Sequence, residues 1–436
     1  MKGLVLTYII TIIGGIAGLR YPLVGLNVYI GLAVLRPQFI FAFAGDLNKL
    51  SLFVGVLFLV GWALQGFGSW RFGRARAIVL ALVAFTCWFA LSATQAMEPR
   101  TAYRALEELL KIALPFLAGV TLMNDGKDWR PILWTIVLSM GYVGFELNLS
   151  YLFKGFNMAY YGFGGMDNNT FGAGLVTAMG PALALAISAR TWIGRGLAGV
   201  SAALILHTIL LTFSRGTFVG FIVMGVVAVI MMPKRPKYLL AMIVVALLAA
   251  RFTGPQLASR YSTILASTDE RDASAQSRVE LWMDCLDVVW AYPVLGVGPT
   301  NWRNIAASYG WPEGKSAHSM WLETAAEMGV PGFLFLFAFF GITLRRLWPL
   351  ARAKPDADNR DQVILASGVV LGIVGFMASG QFVSVQGLEL PYYMVMLGAG
   401  MLKAQPVPAV EQVPVSTLPP AFHWTPPGRS SPGVGR

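Results

Sequence analysis

The sequence predicts an all-α polytopic membrane protein, with about 12 transmembrane helices and one large helical loop on the outer side. Three observations carry that expectation. Apolar residues make up 56% of the 436 and charged residues only 13%, against about a quarter charged in a soluble domain. The apolar residues fall into runs near the roughly 20 needed to cross about 30 Å of hydrocarbon. Lys and Arg gather in every second connection between those runs, as they do when basic loops hold the cytoplasmic side.

Taken in order, the runs lie near 3–19, 22–43, 49–67, 77–96, 105–123, 131–153, 170–190, 193–212, 215–232, 237–250, 328–347, 362–382 and 388–403. The first two are joined only by Leu19-Arg20-Tyr21-Pro22, so they form either two spans or one span with a re-entrant piece. Met1-Lys2 before an apolar run loosely resembles a signal peptide, but no small-residue cleavage site follows and the segment reads as retained. Residues 1–250 then form an N-terminal bundle, 251–327 a polar loop, and 328–403 the C-terminal helices. The Pro-rich stretch 404–436 has no apolar period and reads as a disordered cytoplasmic tail.

The formal charge of +11 would suggest nucleic acid as partner in a soluble chain. Here it resides in short loops: Arg71/Arg74/Arg76, Lys127/Arg130, Arg190/Arg195, Lys234/Arg235/Lys237 and Arg345/Arg346/Arg352/Lys354/Arg360. Those loops alternate along the chain, which makes the partner a lipid bilayer and their face cytoplasmic. The opposite face carries the 97–104 loop, the 154–169 loop, the turn at Ser214-Arg215 and the whole polar loop.

Candidate chemistry gathers on that outer face. Ser214 is a plausible N-cap before Arg215, and Ser277-Arg278-Val279-Glu280 has the S-x-x-E spacing of a capping box. Each spacing puts an arginine in the first turn of a helix, where the dipole favours an anion. A shared phosphate resolves that conflict; otherwise Arg215 snorkels to the interface and Arg278 pairs with Asp284 or a loop carboxylate. His318, just ahead of an apolar run, is either a proton acceptor at neutral pH or an inert interfacial histidine. Lys111 lies within an apolar run, as a functional intramembrane charge or a simple partner of Glu107 and Glu108. Asp167-Asn168-Asn169 suits sugar hydroxyls or a turn.

Other features point away from chemistry. Cys87 and Cys285 give neither a disulfide framework nor a metal-ligand spacing. His207 lies deep in a span and His423 in the tail. Asp356-Ala357-Asp358 has the D-x-D spacing of metal–diphosphate sites but sits in a basic cytoplasmic loop. No phosphate loop, dinucleotide fingerprint or nucleophile elbow is present, and no internal repeat favours a transporter.

TFSRG at a span start, Arg278 followed by Trp282, Pro293–Gly298 as PVLGVG, and the H-S-x-W-L-E-x-x-x-E-x-G-x-x-G run from His318 to Gly332 resemble the O-antigen ligase and polymerase family. Asp167-Asn168-Asn169 resembles its D-N-N element. The resemblance implies a bacterial inner-membrane glycosyltransferase whose polar loop and site face the periplasm. It implies an undecaprenyl diphosphate-linked glycan as donor, lipid A–core as acceptor in the ligases, and neither ATP nor metal. It assigns Arg215, Arg278 and His318 as catalytic, places Trp282 in the loop motif, and leaves Glu389 as the counterpart of a late acidic residue. O-antigen polymerases and protein O-oligosaccharyltransferases share these motifs, and a transporter of lipid-linked sugar is the alternative outside enzymes.

Overall fold

The computed structural model describes residues 2–44, 47, 49–231, 273–356, 358–384 and 388–405. The expected span 237–250, the loop residues 251–272, the Lys234/Arg235/Lys237 connection and the tail from 406 lie outside the described residues. The helices are α1 (Lys2–Arg20), α2 (Pro22–Leu35), α3 (Lys49–Leu64), α4 (Arg76–Ala93), α5 (Pro99–Leu122), α6 (Gly126–Lys154) and α7 (Asn168–Ser188). They continue as α8 (Trp192–Leu211), α9 (Arg215–Met231), α10 (Ala273–Ala291), α11 (Met320–Ala351), α12 (Arg360–Ser379) and α13 (Glu389–Lys403). Among the described residues there is no sheet, only an isolated bridge between Phe163 and Met166.

The all-α membrane class therefore holds. Among the described residues, eight helices are long and apolar enough to cross a membrane: α1, α2 with the turn after it, α4, α6, α7, α8, α11 and α12. The expectation of about 12 spans runs ahead of this. Helices α3, α9 and α13 have 16, 17 and 15 residues, short of the usual span. Helix α5 carries Arg100, Arg104, Glu107, Glu108 and Lys111 along one side.

Local chemistry sets the ends. Asp125 and Asp128 form a reciprocal capping box at the start of α6, Thr191 caps α8, and Gly155 closes α6 in the left-handed conformation. Helix α7 is the buried axis of the bundle, packed on α8 and α12. There small residues let backbones approach: a Cβ on Gly180 would stand 2.2 Å from the Gly368 carbonyl oxygen, and one on Gly372 2.4 Å from that of Thr177.

Connections sort into two ends of the bundle. At one, Ser69 N–H donates to the Thr121 carbonyl (2.9 Å), Arg346 to the Arg74 carbonyl (2.7 Å), Lys403 to the Thr121 carbonyl (2.8 Å), and Arg130 pairs with Asp361 (2.7 Å). Among the described residues, this end gathers the basic connections that hold Arg74, Arg130, Arg190 and Arg346. At the other, Arg36 donates to the Gly164 carbonyl, Met97 N–H to the Val297 carbonyl (3.1 Å), and Glu98 N–H to Asn301 Oδ1 (2.6 Å).

The polar segment between α10 and α11 is fastened through a fault in α11. Gly329 has φ 68° and ψ −179° within the helix, a region open essentially to glycine alone. The fault frees carbonyls, and the PVLGVG segment takes them up. Val297 N–H donates to the Ala326 carbonyl (3.1 Å), Gly298 N–H to that of Glu327 (2.8 Å), and Val330 N–H to that of Pro293 (2.9 Å). Trp88 Nε1 donates to the Met328 carbonyl (2.9 Å) and Ser92 Oγ to those of Leu295 (2.7 Å) and Glu327 (3.2 Å). A Cβ on Gly329 would meet the Val294 oxygen at 2.1 Å, and one on Gly296 the Glu327 carbonyl carbon at 2.3 Å.

Gly329→Ala is therefore expected to destabilise the protein by about 2 kcal/mol or more, from backbone strain plus collision. Gly196→Ala, on α8 with nothing near its Cβ, should be neutral or slightly stabilising. Thermal unfolding of both variants in one detergent checks this; equal midpoints would refute the role given to the fault.

Candidate active site

Three helix N-termini meet at the end of the bundle away from the basic connections. Asp167 caps α7 by accepting from Thr170 N–H (2.7 Å). Ser214 caps α9, its Oγ accepting from Thr217 N–H (3.2 Å) and Thr217 Oγ1 (2.8 Å). Ser319 caps α11 by accepting from Leu322 N–H (3.3 Å). The expected cap at Ser214 is thus present, with Arg215 in the first turn.

Side chains link these ends. Ser214 Oγ donates to Asn169 Oδ1 (2.7 Å), and Asn168 Nδ2 to the Thr212 carbonyl (2.9 Å). A Cβ on Gly216 would lie 2.5 Å from Phe382 Cβ, and the Phe382 ring stands 6.3 Å from that of Trp282. Trp282 Nε1 donates to the Ala317 carbonyl (3.1 Å), the peptide that leads into His318. The structure so brings together the Asp167–Asn169, Ser214–Gly216, Trp282 and His318 segments, which lie far apart in the chain.

The Arg278 expectation needs correction. Helix α10 already runs from Ala273, so Ser277 lies inside the helix and Arg278 is beyond the first turn. The S-x-x-E spacing misleads because Glu280 instead accepts from Gln276 Nε2 (3.1 Å), and the alanines at 273 and 275 favour continued helix. Arg278 reaches the site from the side of α10: its charge acts on His318. Asp284, the alternative partner considered for it, accepts from Trp311 Nε1 (2.6 Å).

His318 has φ 53°, a left-handed conformation rare for a side-chain-bearing residue. Its Nε2 lies 3.5 Å from Ser316 Oγ. Burial, then the charges of Arg278 and Lys315, pull its pKa down to about 4; Arg303 acts the same way and Asp167 opposes them. The imidazole is consequently neutral at pH 7. Positive helix ends, Arg278, Lys315 and Arg303 around a neutral base make a place for an anion beside a proton acceptor.

Lys111 and Glu389 are brought to each other rather than to His318. Lys111 pairs with Glu107 and Glu108 at 2.8 Å each, while Glu389 accepts from Tyr393 Oη (3.3 Å) and feels Arg36, Glu108 and Lys111. Arg36, not anticipated from sequence, and Glu389 line a small hollow with Met166, Phe171 and Gly174. Sequence reasoning also passed over Arg303, Lys315, Phe382, Ser384 and Glu323. Only Glu323 left a signal, as the acidic residue in the His318 motif.

The remaining temptations are structural. His207 meets Asn148 Oδ1 within the bundle. Cys285 is buried, and burial pushes its thiol up, so it stays protonated at neutral pH. Asp356 accepts from the N–H groups of Asp358 (2.9 Å) and Asn359 (2.8 Å), the work of a turn residue. Among the described residues no group of three or more His, Cys, Asp or Glu stands where it would hold a metal ion.

Comparison with known proteins gives matches over two stretches of the chain. Residues 1–153, covering α1 to α6, match a family of unknown function. No curated protein matches the chain. Residues 200–337 match the model of the O-antigen ligase family, and that stretch holds Arg215, Arg278, Trp282, the Pro293–Gly298 segment and His318. Over residues 200–337 the chain is thus similar to the O-antigen ligase family.

Proposed function

We propose that the protein is an O-antigen ligase of the bacterial inner membrane, transferring a glycan from undecaprenyl diphosphate to a hydroxyl of lipid A–core on the periplasmic side. The family match supports an enzyme of O-antigen processing that acts on lipid-linked glycan, and the apolar helices support a bilayer around it. The observation that carries the reading is the meeting of a neutral His318 with helix N-termini and arginines, at the end opposite the basic connections. That disposition suits a diphosphate leaving group beside an acceptor hydroxyl. A bilayer-embedded site also suits two lipid-anchored substrates.

In the proposed reaction the acceptor oxygen attacks the anomeric carbon as His318 takes its proton. The bond from that carbon to the diphosphate oxygen breaks on the opposite face, so configuration inverts. The electron pair leaves on undecaprenyl diphosphate, where Arg215 and Arg278 stabilise it in place of a divalent metal. His318 later returns its proton to water. Asp167, Asn168, Asn169 and Trp282 shape the sugar-binding surround, with Lys111 and Glu389 further along α5 and α13.

The cations around His318 give this scheme an internal order. Without donor, burial and then these cations hold the imidazole too acidic to be an effective base. A bound diphosphate offsets those charges and raises the imidazole pKa, so the base becomes competent when the donor is in place.

This predicts two different acid limbs. Transfer by the free enzyme, read as kcat/KM for donor, should stay level through pH 6.5 and fall near pH 4, while kcat should fall at a higher pH. The stability sign is also set. Between the ordinary histidine pKa of 6.5 and about 4 the unfolded chain binds a proton that the folded site refuses, so acid costs stability across that window. A single limb at pH 6.5 for both kinetic terms would remove His318 as this base.

Purified protein in nanodiscs, given lipid-linked O-antigen and lipid A–core with and without EDTA, tests the reaction itself. Product should form equally in both. Arg215→Ala and Arg278→Ala should each lower transfer by on the order of 10² to 10³, with lysine a poor replacement because it lacks the two-pronged phosphate contact. His318→Ala should abolish transfer yet keep donor affinity. Asp356→Ala with Asp358→Ala should retain transfer. Movement of lipid-linked glycan across the bilayer without covalent product would overturn the enzyme reading.

A further inference from the structure

Glu323 is a buried carboxylate for which the proposed reaction has no use. It is 3% exposed, in the first turn of α11. Its Oε2 accepts from the Ala317 N–H (3.1 Å) and from Ser384 Oγ, and its Oε1 lies 4.0 Å from Arg303 Nε. Burying a carboxylate is costly unless it is hydrogen-bonded or paired, and these partners come from three separate segments. One is the turn that ends at His318. Another is the stretch after α12, whose Phe382 packs against Gly216 and Trp282. The third is the polar segment between α10 and α11, through Arg303.

The consequence falls on the peptides flanking Ala317. The Ala317 N–H is held by Glu323, and its carbonyl by Trp282 Nε1. Ser319, on the other side of His318, is fixed as the cap of α11. His318 is therefore gripped at both sides while it occupies φ 53°, a conformation that persists only where the surroundings enforce it. We propose that Glu323 is a positioning residue for glycan transfer, clamping the Ala317 peptide so that the His318 imidazole keeps its left-handed, inward-facing pose.

The inference rests on the proposed reaction for its kinetic side but not for its structural side. Glu323→Leu keeps the side-chain bulk while removing the oxygen that takes both the Ala317 N–H and the Ser384 hydroxyl. In nanodiscs the variant should keep its thermal midpoint within a few degrees and its affinity for undecaprenyl diphosphate. Its transfer kcat should fall on the order of 10²-fold, the cost of a misplaced catalytic group. Independently of activity, the 15N imidazole signal of His318 should move, and its titration should rise from near 4 toward the ordinary 6.5 as water reaches the ring. Glu323→Asp, one methylene shorter, should not restore kcat.

Ser384→Ala removes one donor to the same oxygen and should give a smaller change of the same kind, so a misfolded Glu323→Leu does not end the test. Wild-type kcat with an unmoved His318 signal in either folded variant overturns the proposal. So does a parallel loss of donor affinity and thermal midpoint with the imidazole unchanged. If the wild type performs no transfer, the functional reading fails, while the imidazole titration still decides whether Glu323 sets the pose of His318.

Discussion

The site depends on a backbone fault. A buried carbonyl without a donor is costly, so a helix that breaks within the packed bundle must find donors at once. Helix α11 breaks at Gly329, and donors arrive from the PVLGVG segment, Trp88 and Ser92. The fault is thus the anchor by which a polar segment is fastened to an apolar bundle. It also sets register. The Ala326 and Glu327 carbonyls that receive the segment lie about one turn beyond Glu323 on the same helix, so docking α10 at that level puts Trp282 beside Ala317. The small residues of PVLGVG follow from the same constraint, since a Cβ at 296 would overlap the Glu327 backbone.

Charge sorts the rest of the molecule around that anchor. Basic side chains at one end find carbonyls and Asp361 within a few ångströms. At the other end, the N-termini of α7, α9 and α11 converge with Arg278, Arg303 and Lys315 near one half-buried histidine. Asp167 is the carboxylate that opposes those cations at His318. Such an arrangement pays in electrostatic repulsion for readiness toward an anion, and it adds to the burial that chiefly holds the imidazole neutral.

What the sequence made legible follows from the range of each interaction. Apolar runs and Ser214 as a cap are local, and both read correctly. The site's segments could be named from motif order, and the alternative offered for Lys111, pairing with Glu107 and Glu108, is the geometry observed. The span count is met only in part among the described residues, where α3, α9 and α13 have 16, 17 and 15 residues. The supposed cap at Ser277 failed because S-x-x-E is equally at home inside a helix. Glu323 was opaque for another reason: its partner Ser384 is 61 residues away, and no local period announces a buried carboxylate's donors.

These two kinds of information meet at His318. A histidine beside cations is a poor base, and a histidine in the left-handed region is a strained one. Each property alone argues against retention at an ordinary interface. Together they make sense where an anion relieves the first and a clamp maintains the second. The anion is the proposed diphosphate; the clamp is made of groups already in place, Trp282 and Glu323 on the Ala317 peptide. In the proposed reaction no group need move far. The donor would offset the cations, and the fold already fixes the geometry, so the energy of binding one substrate would prepare the base for the other.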